Sequence, residues 1–318
     1  MRTVALALVA AAAAAGPAAA TVPVPADAHR IAVRISSWGP RPAASDREAR
    51  AHRLMARVFR GAELRVGVQE LRVPGRGRSR NVIGVLDTPR ICLRIVMAHT
   101  DSTPNAPGAN DNASGLGVVA SLAGRLRLID PWCDVWLVAT GAEERVYTGS
   151  PDHLGALALA KRARAHGARK RLRWALSLDE VGRDYPFWLR SPVNSPRPRV
   201  EGALLSAAGN VGTAVSWVRD ESTGNSDHRE FELLGLPAAK LGVGARGEPC
   251  RHSPCDRPSR LDPTSLVRAR RMTAGALRAA SPPPRSRSRP VAPPPSVRRW
   301  PAPSRSSAAS ARRGPRWS

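Results

Sequence analysis

Lysine and aromatic residues are scarce in this chain of 318 residues. Its 50 basic residues are 3 lysines and 47 arginines, and aromatic residues make up only 4% of the sequence. Proteins that bind single-stranded nucleic acid combine positive charge with aromatic side chains on which bases stack, and no such platform accompanies these arginines. The net charge of +25 therefore gives little support to nucleic-acid binding. So high a ratio of arginine to lysine is typical of GC-rich coding instead.

Long apolar runs are missing after the first 20 residues. No later segment approaches the roughly 20 apolar residues that a membrane-spanning helix needs, so no transmembrane segment is predicted. The apolar run at residues 3–15 follows a basic start and precedes a Gly-Pro break and small residues, as in a secretory signal peptide. We expect cleavage after Ala20, a secreted protein, and an N-terminal extension over residues 21–43.

Acidic residues are absent from residues 281–318, which hold 10 prolines, 9 arginines and 9 serines. Such a composition cannot bury enough apolar surface to offset the entropy lost on ordering, so a disordered tail is predicted. Three interpretations stay open: a solvated tail without a specific role, a reading-frame artefact, or a tether to anionic cell-envelope polymers that holds the protein at the cell wall.

Residues 44–280 alternate between helical and strand patterns. This alternation predicts one α/β domain, with a mixed, mostly parallel sheet flanked by helices on both faces. Helices are expected at residues 46–59, with Ser45 as the cap, and at 114–128, 151–166 and 263–279. Strands are expected at 63–73, 81–86, 91–98, 135–139, 173–178, 214–218 and 238–243. Residues 185–198 and 211–225 are interpreted as pocket loops.

Histidines and carboxylates follow four of the predicted strands, and ligand sites form beyond the carboxyl ends of strands in such sheets. Taken singly, each group has a structural interpretation, such as a helix cap for Asp111 or a solvated loop for the paired glutamates. Together they would repel one another unless divalent metal were bound, and a mixed set of imidazoles and carboxylates suits zinc. Three carboxylates and two imidazoles fit two ions that share an activated water. The groups concerned are His99, Asp101, Asp111, Glu143, Glu144, Asp179 and His252.

An ordered set of motifs over residues 44–280 resembles the zinc aminopeptidases of peptidase family M28, especially the secreted Streptomyces and Vibrio leucyl aminopeptidases. The resemblance implies the zinc exopeptidase (phosphorylase/hydrolase-like) fold. The motifs are His99-x-Asp101-Ser102, Gly-Ala-Asn-Asp111-Asn-Ala-Ser-Gly, Glu143-Glu144, Leu-Asp179 and Cys250-x-His252-x-x-Cys255-Asp256.

The resemblance also implies a role for each matched residue. Asp111 would bridge two zinc ions, and the peptide bond after it would be cis. His99 and Asp179 would complete one zinc site, and Glu144 and His252 the other. The implied catalytic residues are Glu143, as general base, and Asp101, which would orient the imidazole of His99.

Several further residues are assigned to the surroundings of the site. Asp227 and His228, in a Ser-Asp-His-x-x-Phe segment, are expected near the substrate or behind the ligands. Arg251 stands where relatives often have an aromatic or apolar residue, and it could stabilise an oxyanion or bind a carboxylate. Glu180, in place of an apolar residue, could alter how a free amine is held. The other histidines are predicted at the surface: His29, His52, His153 and His166.

The four cysteines allow two disulfide bonds in an exported protein. The resemblance implies a Cys250–Cys255 bond around His252. Cys92 and Cys133 each precede a strand that runs toward the site, so they could pair or remain as buried thiols.

The predicted function is an exported zinc aminopeptidase with two zinc ions per chain, acting on the amino termini of peptides or proteins. A carboxypeptidase or glutaminyl cyclase on the same fold is an alternative, and the cyclase would hold one zinc ion. A basic protein without catalytic activity that binds nucleic acid or cell wall is an alternative of another class.

Overall fold

The computed structural model describes residues 27–144, 153–183, 185–220 and 225–280. The predicted signal peptide at residues 1–20 and the predicted tail at residues 281–318 lie outside the described residues and stay predictions. Among the described residues, no helix has the length and apolar content that crossing a membrane requires.

An eight-stranded sheet organises the described part of the chain. Its strands are β1 (Arg65–Val73), β2 (Gly77–Leu86), β3 (Leu93–His99), β4 (Asp134–Thr140), β5 (Leu172–Leu178), β6 (Phe187–Ser191), β7 (Val215–Arg219) and β8 (Ala238–Gly242). They lie in the order β1-β2-β4-β3-β5-β8-β6-β7. The central strands β4, β3, β5 and β8 run parallel, whereas β1, β2 and β6 each pair antiparallel with a neighbour. The predicted mixed, mostly parallel sheet is confirmed.

Helices cover both faces of this sheet, as predicted. They are α1 (Ala28–Ser36), α2 (Asp46–Gly61), α3 (Ser114–Ala123), α4 (Leu126–Ile129), α5 (Leu154–Ala165), α6 (Ala168–Arg171), α7 (Glu201–Asn210), α8 (His228–Leu233) and α9 (Pro263–Arg278). One core joins the sheet to α1, α2, α3, α7 and α9. A second core joins the opposite face to α5 and α8.

Strand β3 shows why its sequence requires a layer on each side. All seven of its residues are buried, and consecutive side chains of a strand point to opposite faces. Val96 and Ala98 belong to the first core, whereas Ile95 and Met97 belong to the second. A strand that is apolar on both faces is stable only between two layers of helices, and it carries His99 to the edge of the sheet.

The sequence did not reveal α1, β6, α7 or α8. The interpretation of residues 185–198 and 211–225 as loops was wrong, because β6 lies within the first range and β7 within the second. Helix α8 has six residues, fewer than two helical turns, which is too short for its period to be recognised. Helix α1 lies in the predicted N-terminal extension and packs against α3 so closely that a Cβ on Gly117 would approach the Ala28 carbonyl to 2.2 Å.

Both disulfide bonds are present, Cys92–Cys133 and Cys250–Cys255. The first joins the residues that precede the parallel neighbours β3 and β4 and spans 41 positions. The second spans 5 positions and closes a turn around His252.

The two disulfide bonds should contribute unequally to stability, because cross-linking a longer loop removes more entropy from the unfolded chain. Replacing Cys92 and Cys133 by alanine should lower the free energy of unfolding by up to about 4 kcal/mol, against about 2 kcal/mol for Cys250 and Cys255. Urea unfolding of the two double variants measures the difference. An equal or reversed order would contradict it.

Candidate metal centre

The carboxyl ends of the central strands bring the predicted ligands together. His99 is the last residue of β3, the Glu143-Glu144 pair follows β4, and Asp179 follows β5 directly. His99, Asp111, Glu144 and Asp179 are buried, whereas the side chain of His252 is 45% exposed. The cluster therefore lies below the protein surface and opens to solvent on the side of His252.

Asp111 lies between two pairs of ligand atoms. Its Oδ1 is 3.1 Å from Nε2 of His99, and its Oδ2 is 3.2 Å from Nε2 of His252. Asp179 Oδ1 is 3.6 Å from the same His99 nitrogen, and Glu144 Oε2 is 3.1 Å from the His252 nitrogen. One carboxylate thus presents one oxygen to each of two neighbouring groups of ligands.

Not all of the candidate ligand atoms have a hydrogen-bond partner within the described part of the chain, and their chemistry suits a metal ion. Glu144 Oε1 and Asp179 Oδ1 are buried oxygens without a hydrogen-bond partner among the described residues, a costly arrangement unless a cation is bound. Burial and the nearby charge of Asp111 raise the pKa of Glu144 to about 7. The mixture of imidazole and carboxylate ligands fits zinc.

The position of Glu143 allows more than one role. Its carboxylate is buried and lines the same cavity as the ligands. Burial raises its pKa well above the ordinary value, and the neighbouring Glu144 carboxylate adds to the rise. Candidate ligand atoms of His99, Glu143 and Asp179 lie within 4.8 Å of one another, as do those of His99, Asp111 and Glu144. Geometry alone therefore permits Glu143 to act either as a ligand or as a base.

The carboxylate of Asp101 binds the backbone of the paired glutamates. Its two oxygens each accept a backbone N–H at 3.0 Å, one from Glu143 and one from Glu144. The Nδ1 atom of His99 lies 3.6 Å from the Asp101 carboxylate but 3.2 Å from the Asp101 backbone carbonyl. Asp101 therefore contacts His99, as the resemblance implies, and it also fixes the glutamate loop, which the sequence did not indicate.

Asp256 holds the loop of Asp111 in the same way, because its oxygens accept the backbone N–H groups of Asn110 and Asp111 at 2.7 and 3.0 Å. The Asp111–Asn112 peptide bond is cis, as the resemblance implies. The Asn112 side chain donates to the Leu178 carbonyl at the end of β5, so the loop that carries Asp111 is attached both to Asp256 and to the end of β5.

Two buried residues near the amino terminus also support the centre and were not predicted. The Arg41 guanidinium donates to the backbone carbonyls of Thr100 and Gly108. Glu48 accepts hydrogen bonds from the Ser79 hydroxyl and from the backbone N–H of Ala142, the residue before Glu143. Burial and the charge of Asp101 raise the pKa of Glu48 to about 8.

Ion-paired acidic and basic side chains form the cavity wall beside Asp179. Lys240 Nζ is 2.8 Å from Asp179 Oδ2 and 3.5 Å from Glu180 Oε2. Arg251 forms a two-point ion pair with Glu180, with Nε at 2.6 Å from Oε1. Burial alone would lower the pKa of Lys240, but the two carboxylates outweigh it and raise the pKa. The Arg251 guanidinium is thus already engaged by Glu180, which does not favour the predicted oxyanion or carboxylate contact.

The sequence held a signal for the role of Lys240, because it is a charged residue inside the apolar strand β8. All five residues of β8, Ala238–Gly242, are buried, and a buried lysine requires a partner of opposite charge. Because β8 is the parallel neighbour of β5, the carboxylates that follow β5 are the expected partners of Lys240.

The surface predictions for His52 and His153 were wrong. Both side chains are buried. His52 Nε2 is 2.8 Å from the Thr100 hydroxyl, and burial lowers its pKa to about 3. His153 lines the cavity beside Glu143. His166 is exposed as predicted, and His29 is partly exposed.

Asp227 and His228 are buried behind the cavity wall. Asp227 accepts a hydrogen bond of 2.6 Å from the Thr140 hydroxyl at the end of β4. His228 Nε2 is 2.6 Å from Asp220 Oδ2. The described lining of the cavity includes Arg251 but neither Asp227 nor His228.

The sheet and its buried cluster of carboxylates and imidazoles define a metalloenzyme-like α/β protein. The model of peptidase family M28 matches residues 81–277, and the chain belongs to this family. Aminopeptidase YwaD from Bacillus subtilis is 29% identical over 214 residues, which are 63% of this chain and 44% of that relative. The chain therefore spans less than half the length of YwaD.

Solved structures of the same fold include enzymes of two activities. BSAP, a zinc aminopeptidase from Bacillus subtilis, superimposes with a TM-score of 0.69 at 18% identity, over 81% of this chain and 95% of that chain. The glutaminyl cyclase from Bacteroides thetaiotaomicron superimposes with a TM-score of 0.68 at 17% identity, over 80% and 97%. These likenesses establish the fold but do not separate the two activities.

The Asp101→Asn variant should bind zinc about 10- to 100-fold more weakly, the usual effect of removing a group that supports ligands. The Asp101 carboxylate accepts hydrogen bonds from two backbone N–H groups. In the asparagine variant the side-chain NH₂ group would face one of these N–H groups, and that hydrogen bond would be lost. Zinc competition with a chelator measures the affinity, and Asp87→Asn, at an exposed ion pair with Arg65, is the matched control. Equal affinities would contradict the supporting role of Asp101.

Proposed function

We propose that this protein is an exported aminopeptidase that holds two zinc ions and hydrolyses the first peptide bond of peptides and proteins. The observation that supports it best is the placement of Asp111, whose two oxygens face two separate groups of ligands. One ion would be held by His99 and Asp179, the other by Glu144 and His252, with Asp111 shared between them.

Zinc bound there would supply Lewis acidity toward the scissile carbonyl and would lower the pKa of water. Glu143 would act as the base that takes a proton from the attacking water and returns it to the leaving amine. Its side chain faces the cavity, and the adjacent Glu144 contacts His252 at 3.1 Å. Two successive carboxylates can thus have different tasks.

The amine of the substrate requires a carboxylate whose charge is not already neutralised by a lysine or an arginine of the protein. Glu180 accepts from Arg251 and lies 3.5 Å from Lys240, so its charge is compensated within the protein. Glu143 and the ligand carboxylates are the remaining acidic groups on the described cavity wall. The ammonium group of the substrate would therefore bind on the side of the cavity that holds Glu143.

A glutaminyl cyclase is an alternative on this fold, because a cyclase structure superimposes with nearly the same TM-score as an aminopeptidase structure, and a carboxypeptidase is a further alternative. The paired glutamates and the full set of candidate ligands favour hydrolysis. The proposed location outside the cell rests on the signal-peptide pattern and on two disulfide bonds. Association of residues 281–318 with anionic cell-envelope polymers is part of the proposal and does not affect the chemistry.

Purified mature protein should hold two zinc ions per chain by metal analysis and should release the first residue of aminoacyl-nitroanilides. A chelator should abolish the activity, and zinc should restore it. Cyclisation of N-terminal glutamine with one zinc per chain would favour the cyclase. Release of C-terminal residues would favour the carboxypeptidase. Salt-dependent DNA binding without hydrolysis, in a chain that lacks residues 281–318, would favour the non-catalytic alternative.

The Glu143→Gln variant should keep its zinc and lose about 10²- to 10⁴-fold in kcat, the usual contribution of a general base. Glutamine has nearly the same shape but cannot accept the proton. The matched control is Glu63→Gln, whose side chain is 66% exposed and lies outside the described lining of the cavity. Loss of zinc from Glu143→Gln would identify Glu143 as a ligand, and full activity would remove it from the mechanism.

A further inference from the structure

His153 links the cavity to a second carboxylate behind it. Its Nε2 lies 3.4 Å from Glu143 Oε1, and its Nδ1 lies 3.3 Å from Glu230 Oε1. The imidazole is 1% exposed and lines the same cavity as the candidate zinc ligands. We propose that His153 is a positioning residue that holds the carboxylate of Glu143 in its working orientation, an inference that rests on the proposed function.

The backbone of His153 has an unfavourable conformation at the position that brings the imidazole to Glu143. Its φ is +49°, in the left-handed region that residues with a side chain rarely adopt. His153 precedes α5, whose first N–H, on Leu154, donates to the Ala142 carbonyl at 2.9 Å. The position of the imidazole is thereby tied to the residue that precedes Glu143.

Close packing of the backbone strengthens the same link. A Cβ on Gly155 would approach the Gly141 carbonyl oxygen to 2.2 Å, so only glycine fits between α5 and the glutamate loop. The Asn81 side chain donates to the Gly155 carbonyl and accepts from the Gly141 N–H. These contacts fix the start of α5 relative to the loop that carries Glu143, and with it the distance between His153 and the carboxylate.

Glu230 fixes the imidazole from behind. It lies on α8, is buried, and its Oε1 also accepts a hydrogen bond of 2.7 Å from Arg229. The hydrogen bond between Nδ1 and Glu230 restrains the ring, and Nε2 then lies 3.4 Å from Glu143 Oε1. A general base works only when its oxygen is within hydrogen-bond reach of the proton it takes. A displacement of about 1 Å can cost about 100-fold in rate, so a residue that limits rotation of Glu143 acts on kcat.

The decisive comparison is between His153→Leu and His153→Gln. Leucine removes the polar contact and should lower kcat about 10- to 100-fold, with the zinc content unchanged. Glutamine can still donate an N–H toward Glu143 and should recover most of the loss. Glu230→Gln should lower kcat in the same direction by a smaller factor. His166→Leu, an exposed histidine just after α5, is the matched control and should behave as wild type.

A double-variant cycle shows whether His153 acts through Glu143. If it does, His153→Leu should cause no further loss of kcat in a Glu143→Gln background, because residues that act as a unit are not additive. The ¹⁵N chemical shifts of the His153 ring should also change in Glu143→Gln, while those of His166 stay the same. This readout does not depend on activity.

Each result bears on one of the two proposals. An active wild type with an inactive Glu143→Gln and a fully active His153→Leu would overturn the positioning role alone. The positioning role is also overturned if the two losses add, or if His153→Leu and His153→Gln lose activity together with zinc. A wild type that hydrolyses no aminoacyl substrate would overturn the proposed function and the inference that rests on it.

Discussion

The structure around the cavity depends on how the protein stabilises a cluster of buried carboxylates. Parallel packing of β4, β3, β5 and β8 brings their carboxyl ends to one edge, and acidic residues follow the ends of β3, β4 and β5. Removing several carboxylates from water is costly unless each has a partner. Backbone N–H groups and two basic side chains compensate some of these carboxylates. Three buried carboxylate oxygens, on Glu144, Asp179 and Asp227, have no hydrogen-bond partner among the described residues, and those on Glu144 and Asp179 belong to the candidate ligands.

The carboxylates around the cavity differ in their hydrogen-bond partners, and the partner indicates the role of each. Asp101 and Asp256 are satisfied by backbone N–H groups, so they shape loops. Glu180 is satisfied by Arg251 and Lys240, so it belongs to the wall. Asp111 faces the imidazoles, and an oxygen of Glu144 has no protein partner among the described residues. The hydrogen-bond pattern thus identifies the carboxylates that support loops, but an oxygen unpartnered within the described part of the chain does not alone identify a ligand, because Asp227 has one as well.

The sequence predicted the residues whose roles depend on local position. His99 and Asp179 follow buried strands directly, so the rule of strand ends places them together. Glu48 and His153 could not be assigned in this way. Glu48 looks like part of a helix start and does donate its N–H to the Ser45 cap, but its carboxylate reaches Ser79 and Ala142. His153 falls in a predicted surface helix, and only the tertiary fold brings Glu143 and Glu230 to its ring.

The two halves of the candidate centre differ in how firmly the protein holds them. His99 is buried at the end of a central strand, and Asp179 has one oxygen fixed by Lys240 at 2.8 Å. His252, by contrast, is half exposed and lies in a turn. The Cys250–Cys255 bond and the Arg251–Glu180 ion pair restrain that turn from either side of His252. Since Glu180 follows Asp179 directly, this ion pair joins the exposed ligand loop to the buried one. Arg251 thereby connects the loop of His252 to the end of β5.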